Sequence, residues 1–136
     1  MVKKNLLFIS AILIAFLVNA QHENIMIPYS GSSYQPEEPS IYVNPYNTDQ
    51  LVGGANINNV YVSNDGGYTW TANVLTSSQN GVWGDPVTIV DTAGNFYYFH
   101  LSYPPAGNWI DRIVGQKSTD GGLTWNDGTY MGLNGT

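Results

Sequence analysis

Beyond residue 37 the apolar residues of this chain fall into short runs separated by turn formers. Ile41-Tyr42-Val43, Val60-Tyr61-Val62, Val87-Thr88-Ile89-Val90 and Phe96-Tyr97-Tyr98-Phe99 are rich in β-branched and aromatic residues and too short for helices. Bounded by Gly, Asn, Asp and Pro, they predict strands. The runs also occur twice in the same order. Glu38-Pro39-Ser40-Ile41-Tyr42-Val43-Asn44 aligns with Asp85-Pro86-Val87-Thr88-Ile89-Val90-Asp91 at an offset of 85 − 38 = 47. Each copy opens on an acidic residue and a proline, continues as a strand and ends in a turn, over residues 45–50 and 92–95. Second strands are expected over 51–56 and 96–101, and third strands over 59–63 and 114–118. The unit is therefore a four-stranded meander used twice, with fourth strands expected to start at Trp70 and Trp125. Residues 21–36 form a lead-in segment or an edge strand, in which Asn24-Ile25-Met26-Ile27-Pro28 is the strand-like stretch.

Between the third and fourth strands lie Ser63-Asn64-Asp65-Gly66-Gly67-Tyr68-Thr69-Trp70 and Ser118-Thr119-Asp120-Gly121-Gly122-Leu123-Thr124-Trp125, identical at six of eight positions. Asp-Gly between strand-like runs predicts a tight hairpin, because glycine takes positive φ without steric cost. The aspartate can accept hydrogen bonds from N–H groups of its own turn. The tryptophans are expected to pack in the core. Both stretches resemble the Asp-box, or BNR repeat, of sialidases and related β-propeller proteins, whose pattern is Ser/Thr-x-Asp-x-Gly-x-Thr-Trp/Phe. The matching residues are Ser63, Asp65, Gly67, Thr69 and Trp70, and Ser118, Asp120, Gly122, Thr124 and Trp125. The resemblance implies an all-β fold, a β-propeller of sialidase type with six or seven four-stranded antiparallel blades. It implies that the boxes are structural and remote from any active site. Residues 37–82 and 83–136 then correspond to two blades. Two blades close no ring, so the chain is expected to be the N-terminal part of a longer protein, with the remaining blades as its partners.

Composition narrows the function. The net charge is −6 with four Lys plus Arg, and Lys3 and Lys4 precede the apolar run Leu6 to Val18 in the manner of a secretion signal. Cleavage is expected before Gln21, giving a secreted protein, extracellular or periplasmic, with no membrane anchor. What remains carries only Arg112 and Lys117, which excludes nucleic acid as a partner. The absence of cysteine excludes disulfides and thiolate metal sites.

The resemblance also specifies what a sialidase would need: three arginines for the substrate carboxylate, a tyrosine nucleophile with a glutamate, and an aspartate acid/base. With one arginine after the leader and no early Arg-Ile-Pro motif, no catalytic residue is assignable, and the exo-α-sialidase label implies no complete catalytic set in this chain. A glycosidase of another kind needs only two carboxylates across a cleft, for which Glu37, Glu38, Asp85 and Asp111 are available. His100 shares a strand face with Phe96 and Tyr98 and reads as a packed histidine. The histidines lack zinc spacing, and the turns lack EF-hand spacing although their Asn, Asp and backbone oxygens leave calcium open, so no metal site or cofactor is assigned.

Meander topology places the functional face. Connections alternate between the two ends of a blade, so the turns at 45–50 and 92–95 share an end with the boxes. Glu38, Asp85 and the connection 102–111 belong to the other end. The offset rises from 96 − 51 = 45 at the second strands to 114 − 59 = 55 at the third, an insertion of ten residues in that connection. The insertion contains Trp109, with Arg112 just after it. Long loops on rigid scaffolds are where binding is usually built, so Glu38, Asp85, Trp109 and Arg112 are the candidate site residues. The expected function is a sialidase-like, carbohydrate-active hydrolase, the alternative being a non-catalytic propeller that binds glycan or protein.

Overall fold

The structure is a computed structural model and describes residues 23–104, 106, 110 and 112–132. Residues 1–22, on which the secretion-signal expectation falls, lie outside the described residues, as do Trp109 and Asp111. Two antiparallel four-stranded sheets make up the ordered secondary structure, with no helix among the described residues. The first contains β1 (Ser40–Val43), β2 (Leu51–Ala55), β3 (Asn59–Ser63) and β4 (Thr71–Val74), in that spatial order. The second contains β5 (Val87–Val90), β6 (Phe96–Leu101), β7 (Ile113–Ser118) and β8 (Thr129–Met131), also in sequence order. Short runs and tight turns leave each strand no neighbour but the next one, which is why both sheets are simple meanders.

The two registers match. Ser40 pairs with Gly54 and Val87 with Phe99. Just beyond these pairs, Asn56 N–H donates to the Glu37 carbonyl at 2.8 Å, and Leu101 N–H donates to the Gly84 carbonyl at 3.1 Å. The aligned repeats are therefore equivalent units in three dimensions as well as in sequence.

Departures from expectation have local causes. Residues 23–39 contain no strand, and Ile25, Met26 and Ile27 are exposed. Strand β4 starts directly after Trp70, but β8 starts four residues after Trp125. There Asn126, though exposed, bonds back to β7: its N–H donates to the Lys117 carbonyl at 2.9 Å and its Oδ1 accepts from Lys117 N–H at 2.7 Å. Gly128 follows with φ 87° and stands so close to β7 that a Cβ would lie 2.9 Å from the Gly115 carbonyl oxygen. The extra residues bulge, and pairing resumes only at Thr129↔Gly115.

The sheets stack face to face. Strand β6 alternates so that Phe96, Tyr98 and His100 are buried against the first sheet, and β7 adds Val114, Gln116 and Ser118. They meet Val52, Val60 and Val62, closing a core that also takes Leu75 and Val82 from the link between sheets. Gly54 is a point of close approach. A Cβ there would lie 2.5 Å from the Tyr98 ring, and the Tyr98 hydroxyl passes it to donate to the Asn59 carbonyl at 3.1 Å. Beside it, Thr88 N–H donates to Ser40 Oγ at 3.1 Å and ties the first strands of the two sheets together.

Only one face of each sheet is covered in this way. Trp125 packs on the core, edge to face with Tyr98 at 5.9 Å, as expected. Trp70 does not: it faces away from the second sheet and lines an apolar groove of about 320 Å³ with Ile27, Pro36, Ile41, Gly53 and Tyr61. A comparable groove of about 370 Å³ on the outer face of the second sheet is lined by Val87, Phe99, Ile113 and Met131.

Replacing Gly54 with Ala is expected to lower stability by about 1–3 kcal/mol, because the added methyl meets a fixed ring in a packed interior. Gly53→Ala is the control: its Cβ would find its nearest neighbours at 3.7 Å, an ordinary contact. Urea unfolding of both variants checks the difference.

Candidate functional site

The two ends of the stacked sheets differ in chemistry. At one end, both Asp-boxes close on themselves. Ser63 Oγ donates to Asp65 Oδ1 at 2.8 Å and accepts from Gly67 N–H at 2.9 Å. Asp65 then accepts from Thr69 N–H at 2.8 Å and from the Thr69 hydroxyl at 2.5 Å. The second box repeats the four bonds through Ser118, Asp120, Gly122 and Thr124 at 2.7, 2.8, 2.9 and 2.5 Å. The paired glycines have φ of 75° and 92° in one box and 77° and 92° in the other, a conformation that side-chain-bearing residues rarely adopt. The boxes part company at their tryptophans. Trp70 Nε1 donates to the Gly67 carbonyl at 2.9 Å, whereas Trp125 Nε1 is buried with no partner.

These carboxylates are poor acid/base groups. The Thr124 hydroxyl, then the Thr124 N–H, holds Asp120 down at about 2, and the equivalent bonds from Thr69 lower Asp65. Asp91, in the turn between β5 and β6, is likewise held at about 2, first by the Asn95 side chain and then by its N–H. All three stay ionised at neutral pH with their oxygens committed to the turn. The β1–β2 turn lies at this end too, since Gly66 N–H donates to the Asp49 carbonyl at 3.0 Å.

At the opposite end stand the first residues of the two repeats. Glu38 and Asp85 both take left-handed backbone conformations, φ 50° and 47°, immediately before a proline. Asn56, in the turn between β2 and β3, joins them. Its Nδ2 donates to Glu38 Oε2, and its Oδ1 accepts from Asp85 N–H at 2.7 Å. Glu38 and Asp85 are thus gathered around a single amide, away from the boxes. Arg112 stands at this same end, just before β7, with its guanidinium over the Tyr130 ring of β8, 4.5 Å from the centroid. Trp109 lies outside the described residues.

Sequence reasoning missed Asn56 and an aromatic cluster beside it. Trp83 stacks on Tyr103 with ring centroids 4.6 Å apart, and Tyr34 meets Trp83 edge to face at 6.3 Å. Trp83 precedes Gly84 and Asp85, so its end of the meander was legible; that residues 34 and 103 converge on it was not. His100 is packed, as its strand face predicts. It is 1% exposed, with Nδ1 2.7 Å from the Leu101 carbonyl oxygen and Nε2 3.1 Å from Gln116 Oε1. Burial lowers its pKa and favours the neutral ring. Among the described residues no three His, Cys, Asp or Glu side chains converge as a metal site would require.

Comparison with known proteins gave no match to any protein-family model, curated protein or solved structure.

Ser118→Ala is expected to cost about 1–3 kcal/mol, because it leaves the buried Gly122 N–H without its acceptor. Chemical denaturation measures it. Acid is expected to weaken the fold in a defined window. Asp91 and Asp120 titrate at about 2 in the folded chain, below their ordinary 3.8. The unfolded chain therefore takes up these protons first as pH falls. Their stabilisation is intact above about pH 4 and is lost as pH falls through about 2. Thermal melts from pH 5 to pH 2 should show this decline, and Asp120→Asn should flatten it.

Proposed function

We propose that the two sheets are successive blades of a sialidase-type β-propeller exported from the cell, and that the protein binds a glycan at the end opposite its Asp-boxes. The blade reading rests on two equivalent Asp-box meanders stacked face to face, with an apolar groove on each outer face suited to another blade. Export rests on the charged and apolar pattern of residues 1–20. One observation carries the choice of end. The box carboxylates are consumed within their own turns, while the other end gathers Glu38, Asp85 and three aromatic rings.

Binding is favoured over sialidase chemistry because Arg112 is the one arginine of this sequence, where a sialidase would need three for the substrate carboxylate. Hydrolysis of a neutral glycoside is the second reading, and the gathering of Glu38 and Asp85 around Asn56 supports it.

The deciding experiment applies full-length protein to a glycan array, a fluorogenic sialoside and a panel of neutral fluorogenic glycosides. Binding without turnover is expected. Turnover of a neutral glycoside that is abolished in both Glu38→Gln and Asp85→Asn would establish the hydrolase instead. Neither binding nor turnover would overturn both readings.

A further inference from the structure

We propose that Tyr34, Trp83 and Tyr103 form a stacking platform for a pyranose ring of a neutral glycan. This rests on the glycan-binding reading and adds to it the surface, the mode of contact and the class of sugar.

The three rings come from distant parts of the chain: the lead-in, the link between the sheets, and the connection after β6. Each is carried on backbone that is already hydrogen-bonded. Tyr34 N–H donates to Ser32 Oγ at 3.1 Å, Trp83 N–H to the Leu101 carbonyl at 2.9 Å, and Tyr103 N–H to the Asn80 carbonyl at 3.1 Å. The rings are thus positioned before any ligand arrives, which reduces the ordering cost of binding. They are nevertheless not core. Tyr34 is 43% exposed and Tyr103 48%, while Trp83 is half-buried between them.

The geometry favours a flat ligand. Trp83 and Tyr103 are 26° from parallel, so one face of Tyr103 is taken by the indole while nearly half of the residue stays open to solvent. A ring laid on that open side extends an existing stack. Phenol and indole are amphipathic, with an apolar face and a polar tip. A pyranose has the same two-sided character, with axial C–H groups on its face and hydroxyls around its rim.

Charge narrows the class of sugar. The first strands of both sheets, β1 and β5, are preceded by Glu37, Glu38 and Asp85, all acidic. Of the described basic side chains, Lys117 lies at the box end, 3.8 Å from Asp91, while Arg112 stands at this end with its guanidinium over Tyr130. The whole chain carries −6. Three carboxylates against one arginine leave this end net acidic, so an anionic sugar meets net repulsion whereas a neutral one meets none.

Intrinsic tryptophan fluorescence and calorimetric titration of the full-length protein test this, using cellohexaose, xylohexaose, mannohexaose and chitohexaose against 3′-sialyllactose. At least one neutral oligosaccharide should bind and shift the fluorescence, and sialyllactose should not. Tyr103→Ala should weaken binding about tenfold or more at unchanged melting temperature, while Tyr103→Phe, which keeps the ring, should stay within about threefold. Undiminished binding in both Tyr103→Ala and Tyr34→Ala would overturn the platform and leave glycan binding to another surface. Preference for sialyllactose would overturn the neutral class. Tyr103-dependent binding of indole or adenosine, with no oligosaccharide bound, would assign the stack to an aromatic ligand. If no glycan binds at all, the glycan-binding reading falls with it.

Discussion

Where Gly54 has no side chain, the ring of Tyr98 occupies the space, and only then can the sheets approach closely enough to share a core. Much else depends on that contact. It brings the Tyr98 hydroxyl to the Asn59 carbonyl, so a buried polar group is satisfied across the interface. Val52 and Val62 meet the second Asp-box at Gly122, where a Cβ would lie 2.5 Å from the Val52 methyl. Trp125 follows from the box onto Tyr98 itself. Close approach at one glycine and box packing at another thus fix the same relative placement of two sheets that make few covalent demands on each other.

That placement polarises the molecule. Both box turns fall at one end, where aspartates close hydrogen-bonded turns and remain ionised. The starts of both repeats fall at the other, where Asn56 spans from Glu38 to the backbone of Asp85. The Asn56 amide therefore acts between the sheets much as Ser40 and Thr88 do one step further along the strands. Aromatic rings from separate segments collect next to this bridge because the link between sheets and the connection after β6 both emerge there.

Strand order, pairing and the division into two ends were legible because they follow from repeat alignment and from the alternation of meander connections. Strand β6 illustrates this: its alternation of buried and half-buried residues can be read from Phe96 to Leu101 and is what the fold displays. Position 128 illustrates the limit. A glycine there is one turn signal among many, and its meaning, a close approach to Gly115, exists only once β7 and the following segment are side by side. Trp70 and Trp125 occupy equivalent box positions, yet one reaches the core and the other an outer groove, because only one of them has a sheet to face. The candidate site was half readable. Glu38 and Asp85 follow from strand starts, whereas Arg112 over Tyr130 and Tyr34 beside Trp83 depend on tertiary contacts that no local spacing encodes.

The self-closure of the Asp-box bears on how such a chain can change over time. Its serine, aspartate, glycine and threonine supply one another's hydrogen bonds within eight residues, and the two copies agree to 0.1 Å in each of those bonds despite different surroundings. A turn that carries its own partners is portable. It can serve a second four-stranded meander without a matching alteration elsewhere, as it does here. The strands around it are then released to diverge, as Leu51-Val52-Gly53-Gly54 has from Phe96-Tyr97-Tyr98-Phe99. Between the two copies of this chain the differences lie in the strand faces and in the connection at the far end, while the hairpin is shared.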